Sequence, residues 1–197
     1  MNLKKNNFLI IFIFSLLLTT CIGSSLTSVA GNAAITEKGI ESSIDDTIIF
    51  TQVKKLLFEL GFYNLTNIGV SVSQGEVLLV GCISNNNDRL NIIKETWRID
   101  GVKNNYNEII IDDNYDFSEK TKDFLLVSEI KTRLLFNSKI LSNNYSIESL
   151  RGTVYLLGIS RNLEERKNIE DFIRGVSGVK KIKSFISYSK EIIKKGS

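Results

Sequence analysis

Two cysteines, Cys21 and Cys82, are the strongest nucleophiles in this 197-residue chain, and histidine does not occur in it. The commonest general base and the commonest transition-metal ligand are therefore both missing. Two cysteines are too few for a Cys-rich zinc site, and neither G-x-S-x-G, a P-loop nor G-x-G-x-x-G is present. Carboxylate pairs or Ser-Lys remain as chemistry, but no spacing in the chain singles out such a pair. The reading is a non-enzymatic protein with no catalytic residue, no metal ligand and no cofactor. Cys21 is placed for a different reaction, acylation of its thiol. It ends "LTTC" and follows Lys4, Lys5 and the apolar run "FLIIFIFSLLL" at 8–18. That run is short for a transmembrane helix and has the form of the apolar core of a secretory signal. Cys82, inside the apolar "VLLVGCI", is expected to be a buried, inert thiol, and no disulfide framework follows.

Leu18 three residues before Cys21 resembles the lipobox of bacterial lipoproteins, although Thr20 stands where Gly, Ala or Ser is usual. The resemblance implies a signal peptide over 1–20 and a lipidated Cys21. Two or more acyl chains at roughly 0.8 kcal/mol per buried CH₂ anchor stably where one does not. Residues 21–43 would then be a polar tether. The alternative is cleavage after Ala30 in "SVAG", which would leave a soluble protein.

A second group of residues points to a surface. From 21 to 116 the chain has 7 basic and 13 acidic residues, net −6; from 117 to 197 it has 16 basic and 9 acidic, net +7. Such a split means either an anionic partner for the second half or attraction between the halves. Within the basic half, Phe124 and Leu125 stand beside a helical core stripe and are followed by Lys131 and Arg133. Apolar residues with cations nearby suit insertion at a lipid headgroup boundary; the competing reading packs Phe124 and Leu125 on the linker or the first module. "KKIK" at 180–183 and "KEIIKK" at 190–195 read as a solvated strand edge and tail, or as added phosphate contacts. Arg89 and Arg166 read as helix-surface salt-bridge residues, and Trp97 as core or inter-module packing.

The elements that must position these residues repeat. "GEVLLVG" at 75–81 recurs as "GTVYLLG" at 152–158, an offset of 77 that also carries Val53 to Ile130, Leu57 to Leu134, Arg89 to Arg166 and Gly101 to Gly178. Modules at 44–112 and 121–188 follow, with a linker at 113–120 and a basic tail at 189–197. Each module reads helix, strand, strand, helix, strand. Phe50, Val53, Leu57 and Leu60 form the stripe of the first helix, and Val127, Ile130 and Leu134 that of its repeat. Gln74-Gly75 and Arg151-Gly152 supply tight turns into strands so continuously apolar that both faces must be covered. Asn-rich "SNNND" and Asn162 cap the second helices. The fold class is α+β, each module a small three-stranded mixed sheet packed on two helices.

"GEVLLVGCISNNNDRLNIIKETWRIDGVKNNYNEI" and "GTVYLLGISRNLEERKNIEDFIRGVSGVKKIKSFI" resemble the BON domain, with G-x-V-x-L-x-G and a Gly-Val twenty residues on. Two copies behind a lipobox-like end resemble the dual-BON outer-membrane lipoproteins of Gram-negative bacteria. The resemblance implies an α-β-β-α-β fold and a periplasm-facing, outer-membrane location. It also implies a non-enzymatic part in envelope integrity, with anionic phospholipid met by the first helix of the second module. Phe124, Leu125, Lys131 and Arg133 are the residues that would do so. A periplasmic chaperone or scaffold binding other envelope proteins is the alternative, nucleic acid is disfavoured by export, and no oligomeric state follows.

Overall fold

The covered strands and striped helices assemble as two α+β modules in tandem. The computed structural model describes residues 40–189, so the signal segment, Cys21, most of the expected tether and all but Ser189 of the tail lie outside the described residues. Module one runs α1 (Ile40–Glu59), α2 (Phe62–Asn67), β1 (Ile68–Ser73), β2 (Glu76–Ile83), α3 (Asn86–Thr96) and β3 (Asn104–Ile111). Module two runs α4 (Phe117–Leu135), a 3₁₀ turn (Ser142–Asn144), β4 (Tyr145–Leu150), β5 (Thr153–Ser160), α5 (Leu163–Arg174) and β6 (Lys181–Tyr188). The α1 helix reaches back into the stretch read as tether, and α4 takes in residues 117–120, read as linker. The short α2 was not legible in the sequence.

In each sheet the central strand pairs antiparallel with the strand before it and parallel with the strand after it, in order β1-β2-β3 and β4-β5-β6. The antiparallel pairs close through two-residue turns in which Gln74 (φ 54°) with Gly75 (φ 80°), and Arg151 (φ 52°) with Gly152 (φ 78°), all hold positive φ. That is the backbone of a type I′ hairpin, whose twist matches the strands. The caps read from sequence form: Asn85 accepts from the Asn87 N–H at 2.8 Å, and Asn162 from the Glu165 N–H at 2.8 Å.

One face of each sheet packs on its own helices. Val77, Leu79 and Ile83 join Ile49, Val53 and Leu57 in one core; Val154 and Leu156 join Leu126, Ile130 and Leu134 in the other. The stripes therefore begin at Ile49 and Leu126, one residue before the Phe50 and Val127 read from sequence. Both positions satisfy a spacing of three to four, so periodicity alone left the phase open.

The opposite faces cover each other. Leu78, Val80 and Cys82 of β2 form a third core with Leu150, Tyr155 and Leu157, flanked by Tyr106, Tyr115 and Phe185. All described residues belong to one compact unit. The contact is two-fold in pattern. At the repeat offset of 77, Lys183 is the counterpart of Tyr106, and Phe185 of Glu108. Tyr106 stacks on Phe185 with centroids 4.3 Å apart, while Glu108 pairs with Lys183. Counterparts thus exchange partners, the mark of an isologous interface, here between two halves of one chain.

Candidate functional site

The α4 helix starts at Asp116, whose side chain accepts from the Glu119 N–H at 2.8 Å. Its buried face is Asp123, Leu126, Ile130 and Leu134. At about 100° per residue, Phe117, Phe124 and Leu135 fall within about 20° of one line along the outer side, roughly 27 Å long at 1.5 Å per residue. They are 84%, 69% and 69% exposed; Leu125 (59%) and Phe136 (86%) extend the apolar surface to one side of that line. Lys120 and Lys131 border it on the other side, about 20–40° from Phe124. Thr121 and Ser128 lie between these apolar residues along the helix, and so many large apolar side chains exposed on one helix mark a surface that meets something.

Of the four residues singled out from sequence, Phe124 and Lys131 share this line and Leu125 stands about 100° away. Arg133 lies about 180° from Phe124 and is held by Glu129 at 2.6 Å. Phe117, Leu135, Phe136 and Lys120 went unnoticed, although spacings of seven and eleven from Phe124 carry the signal for Phe117 and Leu135. Module one lacks the full line: Thr47 and Glu59 stand where module two has Phe124 and Phe136.

Phe124 also borders a groove between α4 and module one, about 440 Å³ in volume, with Lys54, Lys120, Lys131, Leu65 and Val127 around it. At its inner end Glu148 of β4 accepts from Ser71 Oγ of β1 at 2.9 Å. Burial raises the Glu148 pKa, against the opposing pull of the Ser71 hydrogen bond and of Lys131 and Lys54. Burial lowers the Lys54 pKa, and its ammonium donates to the Ile68 carbonyl at 3.2 Å.

A carboxylate on the first helix of each module holds the hairpin turn. Asp46 accepts from the N–H groups of Gln74 and Gly75, both at 2.8 Å. Its counterpart Asp123 accepts from Arg151 and Gly152 N–H at 2.6 and 3.0 Å, from Ser149 Oγ at 2.6 Å and from the Tyr115 hydroxyl at 2.9 Å. The Arg151 side chain then binds Asp112 at 2.6 Å and Glu119 at 3.1 Å, clamping the chain between the modules. Cys82 is fully buried, and burial pushes its thiol pKa up to about 11. Arg166 pairs with Glu170 at 3.1 Å, while Arg89 is half-buried on its helix. Trp97 is neither core nor interface. It is 48% exposed, because it follows buried Thr96 by one residue and is turned about 100° away from the core.

Known proteins agree with this architecture. An uncharacterized protein from the gshII 5′ region of Anaplasma centrale is 35% identical over 144 residues, covering 73% of this chain and 94% of that protein. The outer membrane lipoprotein DolP of Haemophilus influenzae is 25% identical over 114 residues, 58% of each chain. Osmotically-inducible protein Y of Escherichia coli is 24% identical over 185 residues, covering 87% of this chain and 92% of that one. The BON domain model matches residues 45–113 and 122–190, together more than half of the sequence. With two such matches on two modules of the same topology, the chain belongs to the BON domain family.

Proposed function

We propose that this is an envelope lipoprotein, anchored through Cys21 at the periplasmic face of the outer membrane, that binds anionic phospholipid through its second BON domain and supports envelope integrity. The observation that carries the reading is the exposed line Phe117–Phe124–Leu135 bordered by Lys120 and Lys131. A helix lying in the headgroup plane buries such a line, at about 25 cal/mol per Å² of apolar surface removed from water. Each nearby lysine adds about 1 kcal/mol on an anionic surface. That the Haemophilus relative is an outer membrane lipoprotein supports the compartment, and the net +7 of the second half supports the sign of the partner. Residues 1–20 would serve as signal and 21–39, the part of the expected tether ahead of α1, as tether.

The test is co-sedimentation of the mature protein, made without acyl chains, with vesicles of phosphatidylglycerol and phosphatidylcholine. Phe124→Glu should weaken binding at least tenfold without changing the thermal transition, because the ring is mostly exposed. Undiminished binding by that variant overturns the reading. Suppression of client aggregation without vesicle binding would favour the chaperone instead. An acylated Cys21 in the mass spectrum of the membrane-extracted protein would establish the anchor, and cleavage after Ala30 would remove it.

A further inference from the structure

The two-fold packing of the modules creates two counterpart grooves, one on each side of the contact between β1 and β4. The first is the groove beside Phe124. The second, about 420 Å³, is bordered by Thr47, Phe50, Lys131, Tyr145 and Ser146. The fold makes both, so their differences belong to the side chains. Thr47 replaces Phe124, Ser43 stands at the repeat position of Lys120, and Ser142 at that of Leu65. Lys54 and Lys131 are repeat counterparts, yet both border the first groove and only Lys131 borders the second. The first groove thus has three lysines and the exposed Phe124 at its rim, whereas its twin has apolar lining from Phe50 and Tyr145 but one lysine and Thr47.

The carboxylates in the first groove already have partners. Both Asp123 oxygens are taken by the turn, Ser149 and Tyr115. Glu148 accepts from Ser71 and lies against Gly69, where a Cβ would sit 2.6 Å from its Oε2. Lys54 and Lys131 flank this single carboxylate, and Lys120 stands 5.8 Å from the Tyr115 ring centroid. Three lysines against the two carboxylates Asp123 and Glu148 leave a net positive charge around a slot walled by Leu65 and Val127 and opening beside the exposed Phe124.

We propose that this groove between α4 and the first module holds the phosphate headgroup of one anionic phospholipid, with Lys54, Lys120 and Lys131 as its charge partners. The proposal rests on the membrane reading above and extends it: the first module supplies Lys54 and the Leu65 wall, and the second supplies the other two lysines. Ammonium groups of this kind bind a phosphate as point charges, and charge-assisted hydrogen bonds to phosphate are the strong ones. The apolar wall takes the start of the acyl chain, whose remainder continues into the layer that Phe117, Phe124 and Leu135 enter.

The experiment uses the mature two-domain protein. Lys54→Gln and Lys120→Gln should each lower the affinity for phosphatidylglycerol vesicles about fivefold, the equivalent of one lysine near an anionic surface. Lys55→Gln, altering an exposed residue 3.7 Å from Glu59, should leave affinity unchanged. Thermal unfolding of each variant reports folding. Short-chain phosphatidylglycerol below its micelle concentration should shift the amide resonances of Gly69 and Gly81 and spare Ser146 in the twin groove. Folded Lys54→Gln protein that binds as the parent does, or equal shifts in both grooves, overturns the proposal. Retained sensitivity to Phe124→Glu would then show that the membrane face stands without the slot, whereas no loss with Phe124→Glu sinks both.

Discussion

Asp123 shows how much one residue can hold. It is 5% exposed and accepts four hydrogen bonds, two of them from the backbone of a strained turn. Removing it leaves several buried donors unpaired, each worth about 1–3 kcal/mol. Asp123→Ala should therefore destabilise by about 3 kcal/mol or more, and Asp46→Ala, which frees two donors, by less. Urea unfolding of both variants checks the order, and equal losses would contradict it. The repeat offset pairs Asp46 with Asp123 in the sequence, but an aspartate on a helix is exposed by default. Only the turn folded back over the helix shows why both stay buried.

At the scale of elements, the position that decides the packing of each module is the glycine in its central strand. A Cβ on Gly81 would collide with the Asn67 carbonyl oxygen, and on Gly158 with that of Asn144. The chain entering β1 or β4 crosses the central strand there at backbone distance. Gly158→Ala should lower stability by about 2–4 kcal/mol, because the obstacle is main chain and cannot rotate away. An unchanged midpoint in thermal unfolding would refute that. The open edge β3 is blunted by its own asparagines: Asn104 Oδ1 accepts from the Asn105 N–H at 2.9 Å, and Asn107 Oδ1 from the Ile109 N–H at 3.2 Å. In α4 the buried stripe was readable to within one residue. Its outer line was only half seen, because Phe117 and Leu135 are far from Phe124 in sequence and join it only along a continuous helix.

For the whole molecule, the sheet-to-sheet core makes the modules interdependent. Glu108 and Lys183 meet across it, with side chains 18% and 36% exposed, and the Ser187 hydroxyl donates to Glu76 at 3.3 Å. The parent should unfold in a single calorimetric transition. Glu108→Lys, which places like charges together, should destabilise by about 2 kcal/mol, and the swap with Lys183→Glu should recover most of the loss. Failure of the swap to recover stability would mean that the pair does not act across the interface. The opposite net charges of the two halves find one outlet in this contact, while Lys120 and Lys131 of α4 border the groove beside Phe124.

The repeat, the hairpin turns, the caps and the strands covered on both faces were all determined by the sequence, because each is a local pattern of residue types read against a fixed backbone period. The tertiary structure alone decided what covers those strands, which aspartates are buried, and that two grooves exist of which one gathers three lysines. A continuous apolar run can state that a strand is hidden on both sides, but the partner that hides it is chosen by packing between residues some 77 positions apart. Here the partner is the second copy of the module itself.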